Sequence, residues 1–442
     1  MSPTIFVIFG ITGDLAQRKL LPALLSLYVH KKLPEKFAIV GVSRRLLSRE
    51  EFRQFIRDEI NVKFGQYREE DVKHFIDHIS YVQGSFDTDD MYNRLAERLT
   101  SIDKQQFKYC SNKLFHLSVP PTLYENILDH LSTSGLTIPC GGEEGWTRVL
   151  IEKPFGNDID TAKMLDKKLG ELFSEDQIFR IDHYLAKEAL QNVLVFRFAN
   201  SLFEPLWNNK YIDRVHIKLL EKIDIEGRGA FYDGVGALRD VGQNHILQML
   251  AIVAMDEPEV LDAEHIRPER AKILKNLQAV DAIRAQYSGY REEKGVDAGS
   301  HTETYFRLEA HINTARWKKV PFYLESGKAL DETKTEIDVY FKGGNILTFR
   351  IQPDEGIKIR FMVKKPGFGM EVEPKPLKFK YSDFPYEKID AYEKVIHDAF
   401  LGDQTLFTST DEVLAAWKFI TPIVNGWKSD PLERYPKGSR PE

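Results

Sequence analysis

Only two cysteines, Cys110 and Cys140, occur among 442 residues. They make no metal-ligand spacing, argue against a disulfide framework and fit a reducing compartment, so a cytoplasmic location is expected. No apolar run approaches the length of a membrane span. The N-terminus lacks the charged region and long apolar stretch of a secretory leader and enters a strand-like run at Thr4. No long block of one sign of charge is present. The net charge of -6 gives nucleic acid or an anionic membrane no general attraction. An anionic substrate would therefore need a local basic patch. Internal repeats and low-complexity segments are missing too. What is present, 42% hydrophobic and 29% charged residues, is the composition of a globular chain, and the length calls for two domains or three.

Thr4–Phe9 is an unbroken apolar and β-branched run, the signature of a parallel strand buried on both faces. Gly10-Ile11-Thr12-Gly13-Asp14-Leu15-Ala16 follows, then a helical pattern through Leu20, Leu21, Ala23, Leu24 and Leu27. Strand, glycine turn and helix set a pyrophosphate on a helix N-terminus. Gly10 permits the tight turn, Gly13 the approach of backbone to phosphate, and Ala16 close packing of helix on strand. A plain βα turn with two glycines would read the same. A second strand, Ala38–Val42, ends in Ser43-Arg44-Arg45. Folds selecting NAD usually carry an acid there, whereas an arginine suits the 2′-phosphate of NADP. Two solvated arginines on a loop are the alternative. Residues 48–78 look helical, opened by a capping box of Ser48 and Glu51. Further strands are expected at Ile79–Val82, Lys113–Ser118 and Thr147–Glu152. Pro120 and Pro121 stop the fourth, and Lys153 stands at the carboxyl end of the fifth, where ligands of such sheets sit. This alternation predicts an α/β, Rossmann-type doubly wound parallel sheet over residues 1–182.

The texture changes after residue 200. Longer runs, several alternating in polarity, predict an α+β domain over 183–442, built on a large, mainly antiparallel sheet. Glu226–Asp233 and Ser288–Ser300 read as loops, and the tail from Ser429 as irregular or frayed. His245 opens the apolar helix Ile246–Val253 and is the best base candidate among the histidines, because desolvation would hold it neutral. A core histidine bonded to a carbonyl is the alternative. Arg180–Glu188 follows the apolar run Gln177–Phe179. His183 and Lys187 share a face if a helix has begun, and with Tyr184 could grip a phosphate. Asp182 would repel that ligand and needs another role. A solvated first helical turn with Asp182 as N-cap is the alternative.

The glycine turn, Glu152-Lys153-Pro154-Phe155-Gly156, Arg180–Leu185, Arg239-Asp240-Val241-Gly242-Gln243-Asn244-His245 and Val320–Leu330 occur in this order. Together they resemble the glucose-6-phosphate dehydrogenase family over nearly the whole chain. The resemblance implies NADP-linked oxidation of glucose 6-phosphate at C1 to the phosphogluconolactone that starts the pentose phosphate pathway, with NAD a weaker alternative and no metal. It implies His245 as general base and Asp182 as the carboxylate that orients it. His183, Tyr184 and Lys187 correspond to the 6-phosphate clamp, and Lys153 to a lysine bridging substrate and cofactor. Glu221 and Asp240 match carboxylates that bind sugar hydroxyls, and Lys328 a further substrate lysine. Gly10, Thr12, Gly13, Asp14 and Arg44 fall at cofactor positions, with Pro121 and Tyr124 near the nicotinamide. Substrate and cofactor are the expected partners, in a homo-oligomer that is a dimer or a tetramer. Three positions depart from the pattern: Ala186 for glycine, Glu325 for arginine, and Thr333 for a second basic sugar contact. The chain ends soon after Trp427, so the second nucleotide site of some relatives is expected to be incomplete.

Overall fold

The computed structural model describes residues 1–61, 67–140, 145–385, 389–427 and 431–441. These divide into two compact units. The first holds the described residues of 1–156, 160–186 and 388–410; the second holds those of 157–159, 187–387 and 411–442. The division falls after Ala186, four residues beyond the expected 182, and the described residues of 388–410 return to the first unit.

The first unit is built on a parallel sheet of β1 (Thr4–Phe9), β2 (Phe37–Ser43), β3 (Ile79–Gln83), β4 (Asn112–Leu117), β5 (Thr147–Glu152) and β6 (Ile178–Ile181). Their order is β6-β5-β4-β1-β2-β3, with Phe407–Thr408 antiparallel on the β6 edge. β1, β2 and β4 are buried along their whole length, which is why they read as continuous apolar runs rather than alternating ones. Strand order reverses between β1 and β4, the place where open α/β sheets take ligands. Gly10 lies there with φ +84°, and a Cβ on it would stand 2.2 Å from the Ser118 carbonyl oxygen. Only glycine lets the β1 turn pass so close to the end of β4. The following helix spans residues 14–29. Its turns widen over Ala16–Leu20, just before Pro22, whose missing N–H interrupts the regular ladder.

Two expectations change in this unit. Residues 48–78 form two helices, Arg49–Asn61 and Glu69–Asp77; 62–66 lie outside the described residues. The capping box is present, with Ser48 N–H donating to Glu51 at 2.7 Å and Glu51 N–H to Ser48 Oγ at 3.2 Å. Cys110 and Cys140 form a disulfide, their Cα atoms 5.8 Å apart. Thirty residues separate them in sequence, and the fold rather than the spacing brings them together. The cysteines therefore lend no support to a reducing compartment. No described helix is long and apolar enough to cross a membrane.

The second unit contains β7 (Ile212–Leu220), β8 (Leu277–Tyr287), β9 (Tyr305–Ile312), β10 (Pro321–Gly327), β11 (Lys334–Phe341), β12 (Ile346–Gln352), β13 (Gly356–Lys364) and β14 (Val372–Lys380). They lie in the order β14-β13-β12-β11-β7-β10-β9-β8. Glu433–Tyr435 adds a short strand beside β8, so part of the tail expected to be irregular is in the sheet. β14 carries Pro374 and Pro376, which a sheet tolerates only at an edge or bulge, and β14 is the edge. All pairings are antiparallel except β7 with β10 and β8 with the tail strand. As parallel neighbours, β7 and β10 both deliver their carboxyl ends to the same end of the sheet. The expected loop Glu226–Asp233 includes a short helix, Gly229–Tyr232.

A continuous helix, residues 238–254, packs on β7 and β10. A Cβ on Gly242 would stand 2.9 Å from the Phe306 ring of β9, so glycine sets this close approach. Its C-terminal carbonyls are closed by buried donors. Arg197 reaches Ile252, Val253 and Met255 at 2.8–3.1 Å, while the Trp207 and Trp317 indoles reach Val253 and Ala254 at 2.7 Å. A cation and fixed donors at a helix C-terminus satisfy orphan carbonyls and oppose the dipole.

Candidate active site

In the first unit the glycine turn hangs on β2. Gly10 N–H and Ile11 N–H donate to Val42 O at 2.8 and 3.3 Å, and Gly13 N–H returns to Gly10 O at 2.8 Å. Thr12 Oγ1 donates to Ser43 Oγ at 3.1 Å, which brings the turn beside Ser43-Arg44-Arg45. Arg44 and Arg45 are both exposed. Asp14, at the helix start, pairs with Arg18 at 2.5 Å on the surface. The geometry offers backbone donors and a helix N-terminus to a pyrophosphate, with the exposed Arg44 and Arg45 one strand away, Arg45 lying 5.5 Å over the Phe55 ring.

The carboxyl end of β5 is held from three sides. Tyr124 is buried and its hydroxyl donates to the Glu152 carbonyl at 3.0 Å. Glu152 Oε1 meets His116 Nε2 at 3.1 Å, and Oε2 accepts from Tyr392 at 3.2 Å. Burial, then the Glu152 carboxylate, push both phenols above their ordinary range. They stay protonated and donate throughout physiological pH. Lys153 follows, half-buried, while Pro121 is half-buried at the loop after β4. The His183 ring stacks on Tyr392 at 6.3 Å and meets Tyr184 at 5.1 Å.

The stretch after β6 differs from a helix start. Asp182 Oδ1 accepts the Tyr184 N–H at 3.0 Å and its carbonyl accepts the Leu185 N–H at 3.0 Å. This Asx-type turn uses the carboxylate for a local bond and postpones the helix to Glu188–Phe198, whose N-cap is Lys187. His183 and Lys187 therefore do not share a helix face, and Asp182 caps no helix. Asp182 and Tyr184 are buried, His183 half-buried.

In the second unit Lys187 Nζ donates to Gln352 Oε1 at 2.6 Å. Glu221 follows β7 and Lys328 follows β10; because those strands are parallel neighbours, Lys328 Nζ meets Glu221 Oε2 at 2.6 Å. The ammonium also lies 5.6 Å from the centre of the Tyr232 ring. Burial, then Asp240 and Glu303, raise the Tyr232 phenol well above its usual value. His245 is 3% exposed and sits near the end of the widened turns Leu238–Ile246, with Asp240 about one widened turn before it. Its N–H is bonded to Asn244 Oδ1 at 2.7 Å. Widened turns inside helices recur at functional positions.

The departures have structural partners. Glu325 is buried against His216 at 3.0 Å and Tyr305 at 3.1 Å. Burial raises its carboxyl, but His216, Arg440 and Tyr305 outweigh that and hold it below the ordinary range. Thr333 Oγ1 accepts the N–H of Lys222 at 2.9 Å and so fixes the turn that carries Glu221. Ala186 is buried. Two contributors were missed in the sequence. Gln352, the last residue of β12, precedes a proline that signals only a strand end. Tyr392 lies on the helix Ala391–Leu401, and no local pattern shows that this helix rejoins the first unit.

A phosphate-type turn at the switch point of one sheet, and in the other unit a buried histidine and a lysine–carboxylate pair, fit a nicotinamide-nucleotide oxidoreductase. Comparison with known proteins narrows the class. The model of the glucose-6-phosphate dehydrogenase NAD binding domain matches residues 7–192, and that of the C-terminal domain matches 194–442. A glucose-6-phosphate 1-dehydrogenase of Chlamydia pneumoniae is 40% identical over 476 aligned positions, covering 99% of this chain and 92% of that one. Its counterpart in Aggregatibacter actinomycetemcomitans is 42% identical over 448, covering 95% and 90%. A glucose-6-phosphate dehydrogenase solved in complex with glucose-6-phosphate superposes with a TM-score of 0.92 at 33% identity, covering 100% of this chain and 96% of its own. The chain belongs to the glucose-6-phosphate dehydrogenase family.

Proposed function

We propose that the protein oxidises glucose 6-phosphate at C1 to 6-phosphogluconolactone and passes the hydride to NADP. The observation that carries this reading is the full-length likeness to a dehydrogenase solved with glucose-6-phosphate. His245 takes the proton of the C1 hydroxyl as the hydride leaves. Asp182 is its orienting carboxylate. Lys187, His183 and Tyr184 hold the phosphate. Lys328, Glu221 and Asp240 hold sugar hydroxyls, and Lys153 stands between sugar and nicotinamide.

The nucleotide's pyrophosphate fits the turn Gly10–Gly13, where a Cβ on Gly10 would close the space against Ser118. When bound, the nicotinamide supplies the hydride acceptor. Arg44 sets the choice of nucleotide, since no acid stands at the end of β2 to claim a ribose 2′-hydroxyl. Arg44→Ala should raise KM for NADP about tenfold, the loss of one exposed charge-assisted phosphate contact, with KM for NAD unchanged. Steady-state assays with both nucleotides decide it. Equal KM values for NADP in variant and parent would refute the role of Arg44, while no turnover of glucose 6-phosphate with either nucleotide would refute the whole reading.

A further inference from the structure

The turn that carries Lys328 is strained and is fastened from outside. Ala329, the next residue, has φ +53°, a left-handed conformation that non-glycine residues seldom take. Such a conformation persists only where the surroundings fix it. The N–H groups of Lys328, Ala329 and Leu330 donate to Thr304 O, Ile223 O and Glu221 O at 2.8–2.9 Å, while the carbonyls of Lys328 and Ala329 are held by the C-terminal tail. The Tyr435 hydroxyl donates to Lys328 O at 2.6 Å, and Gly438 N–H donates to Ala329 O at 2.7 Å.

Tyr435 is itself tightly seated. It is 1% exposed within a cluster of tyrosines that includes Tyr232, Tyr287, Tyr290 and Tyr305. Tyr287 N–H donates to Thr304 Oγ1 at 2.9 Å, and Thr304 Oγ1 lies 2.9 Å from the Tyr435 hydroxyl; because Lys328 O can only accept, the phenolic proton points to it. Ser288 N–H donates to Tyr435 O at 2.8 Å, where the tail strand joins β8. Farther on, Arg440 pairs with Asp331 at 2.8 Å and with Glu332, just past the turn. Lys437 pairs with Asp224 at 2.7 Å and Glu293 at 3.0 Å. These ion pairs are partly exposed and individually weak. The tail's own hold on the turn is the two bonds to its carbonyls.

We propose that tail residues 433–440 position the sugar-phosphate side of the site, holding the Lys328–Ala329 turn left-handed and thereby setting Lys328 against Glu221. Tyr435 is a positioning residue that acts through Lys328. The inference rests on the proposed role of Lys328 in binding the substrate, and its test separates the two.

The full chain is assayed as Tyr435→Phe, Lys328→Ala and the double variant. Tyr435→Phe keeps the ring in its cluster and removes one hydroxyl. KM for glucose 6-phosphate should rise about fivefold, the usual worth of one buried neutral hydrogen bond, with kcat and KM for the nucleotide unchanged. In the Lys328→Ala background the same change should add nothing. Ala329→Gly, which adopts the left-handed backbone without strain, should restore KM in Tyr435→Phe. A raised KM in Lys328→Ala with an unchanged KM in Tyr435→Phe overturns the proposal, as does an equal effect of Tyr435→Phe in both backgrounds or a failure of Ala329→Gly to restore KM. An unchanged KM in Lys328→Ala overturns instead the assignment of Lys328 to the substrate.

Discussion

His245→Asn should lower kcat by about 10³–10⁴-fold, the upper range for removal of a positioned general base. Substrate affinity should hold within about twofold, because an interaction made only as the proton moves costs rate and not ground-state binding. The site favours a clean result. His245 is buried, its N–H is bonded to Asn244, and its helix is closed by Arg197 and two indoles. Asparagine keeps a polar group of similar reach in this pocket but cannot accept a proton at neutral pH. Pre-steady-state rates and a binding isotherm for glucose 6-phosphate check both halves. A variant near the parental rate would remove the base assignment.

Lys187→Ala should raise KM for glucose 6-phosphate about 30- to 150-fold, the equivalent of roughly 2–3 kcal/mol for a charge-assisted contact. Lys187 is the N-cap of the helix Glu188–Phe198, with φ -73° and ψ 128°. Its ammonium is anchored on Gln352 at 2.6 Å. A phosphate there meets a fixed cation and the positive end of a helix together. Turnover of unphosphorylated glucose, which lacks the group being gripped, should not change. Initial-rate assays with both sugars measure this directly, and an unchanged KM for the phosphorylated sugar would place the clamp elsewhere.

Local patterns were legible where the physics is local. The continuous apolar runs of β1 and β2, the glycine turn between β1 and its helix, and the Ser48–Glu51 cap could all be read in sequence, because neighbours along the chain determine them. The central Arg180–Glu188 stretch was half legible. Its composition points to a phosphate, but the Asp182 bond to Tyr184 N–H competes with helix formation and delays the helix to Glu188. Long-range pairings were not legible. Nothing near Cys110 points to Cys140, nothing near Ser429 shows that Tyr435 will reach Lys328, and prolines hide the edge strand β14. Each depends on where a distant segment lands, which composition and period do not encode.

Glucose 6-phosphate carrying deuterium at C1 tests the central claim most directly. Incubated with the enzyme and NADP, it should yield reduced nucleotide that contains the deuterium, one label for each sugar oxidised, as read by mass spectrometry. Reduced nucleotide without label would show that the hydride does not come from C1 and would contradict the account.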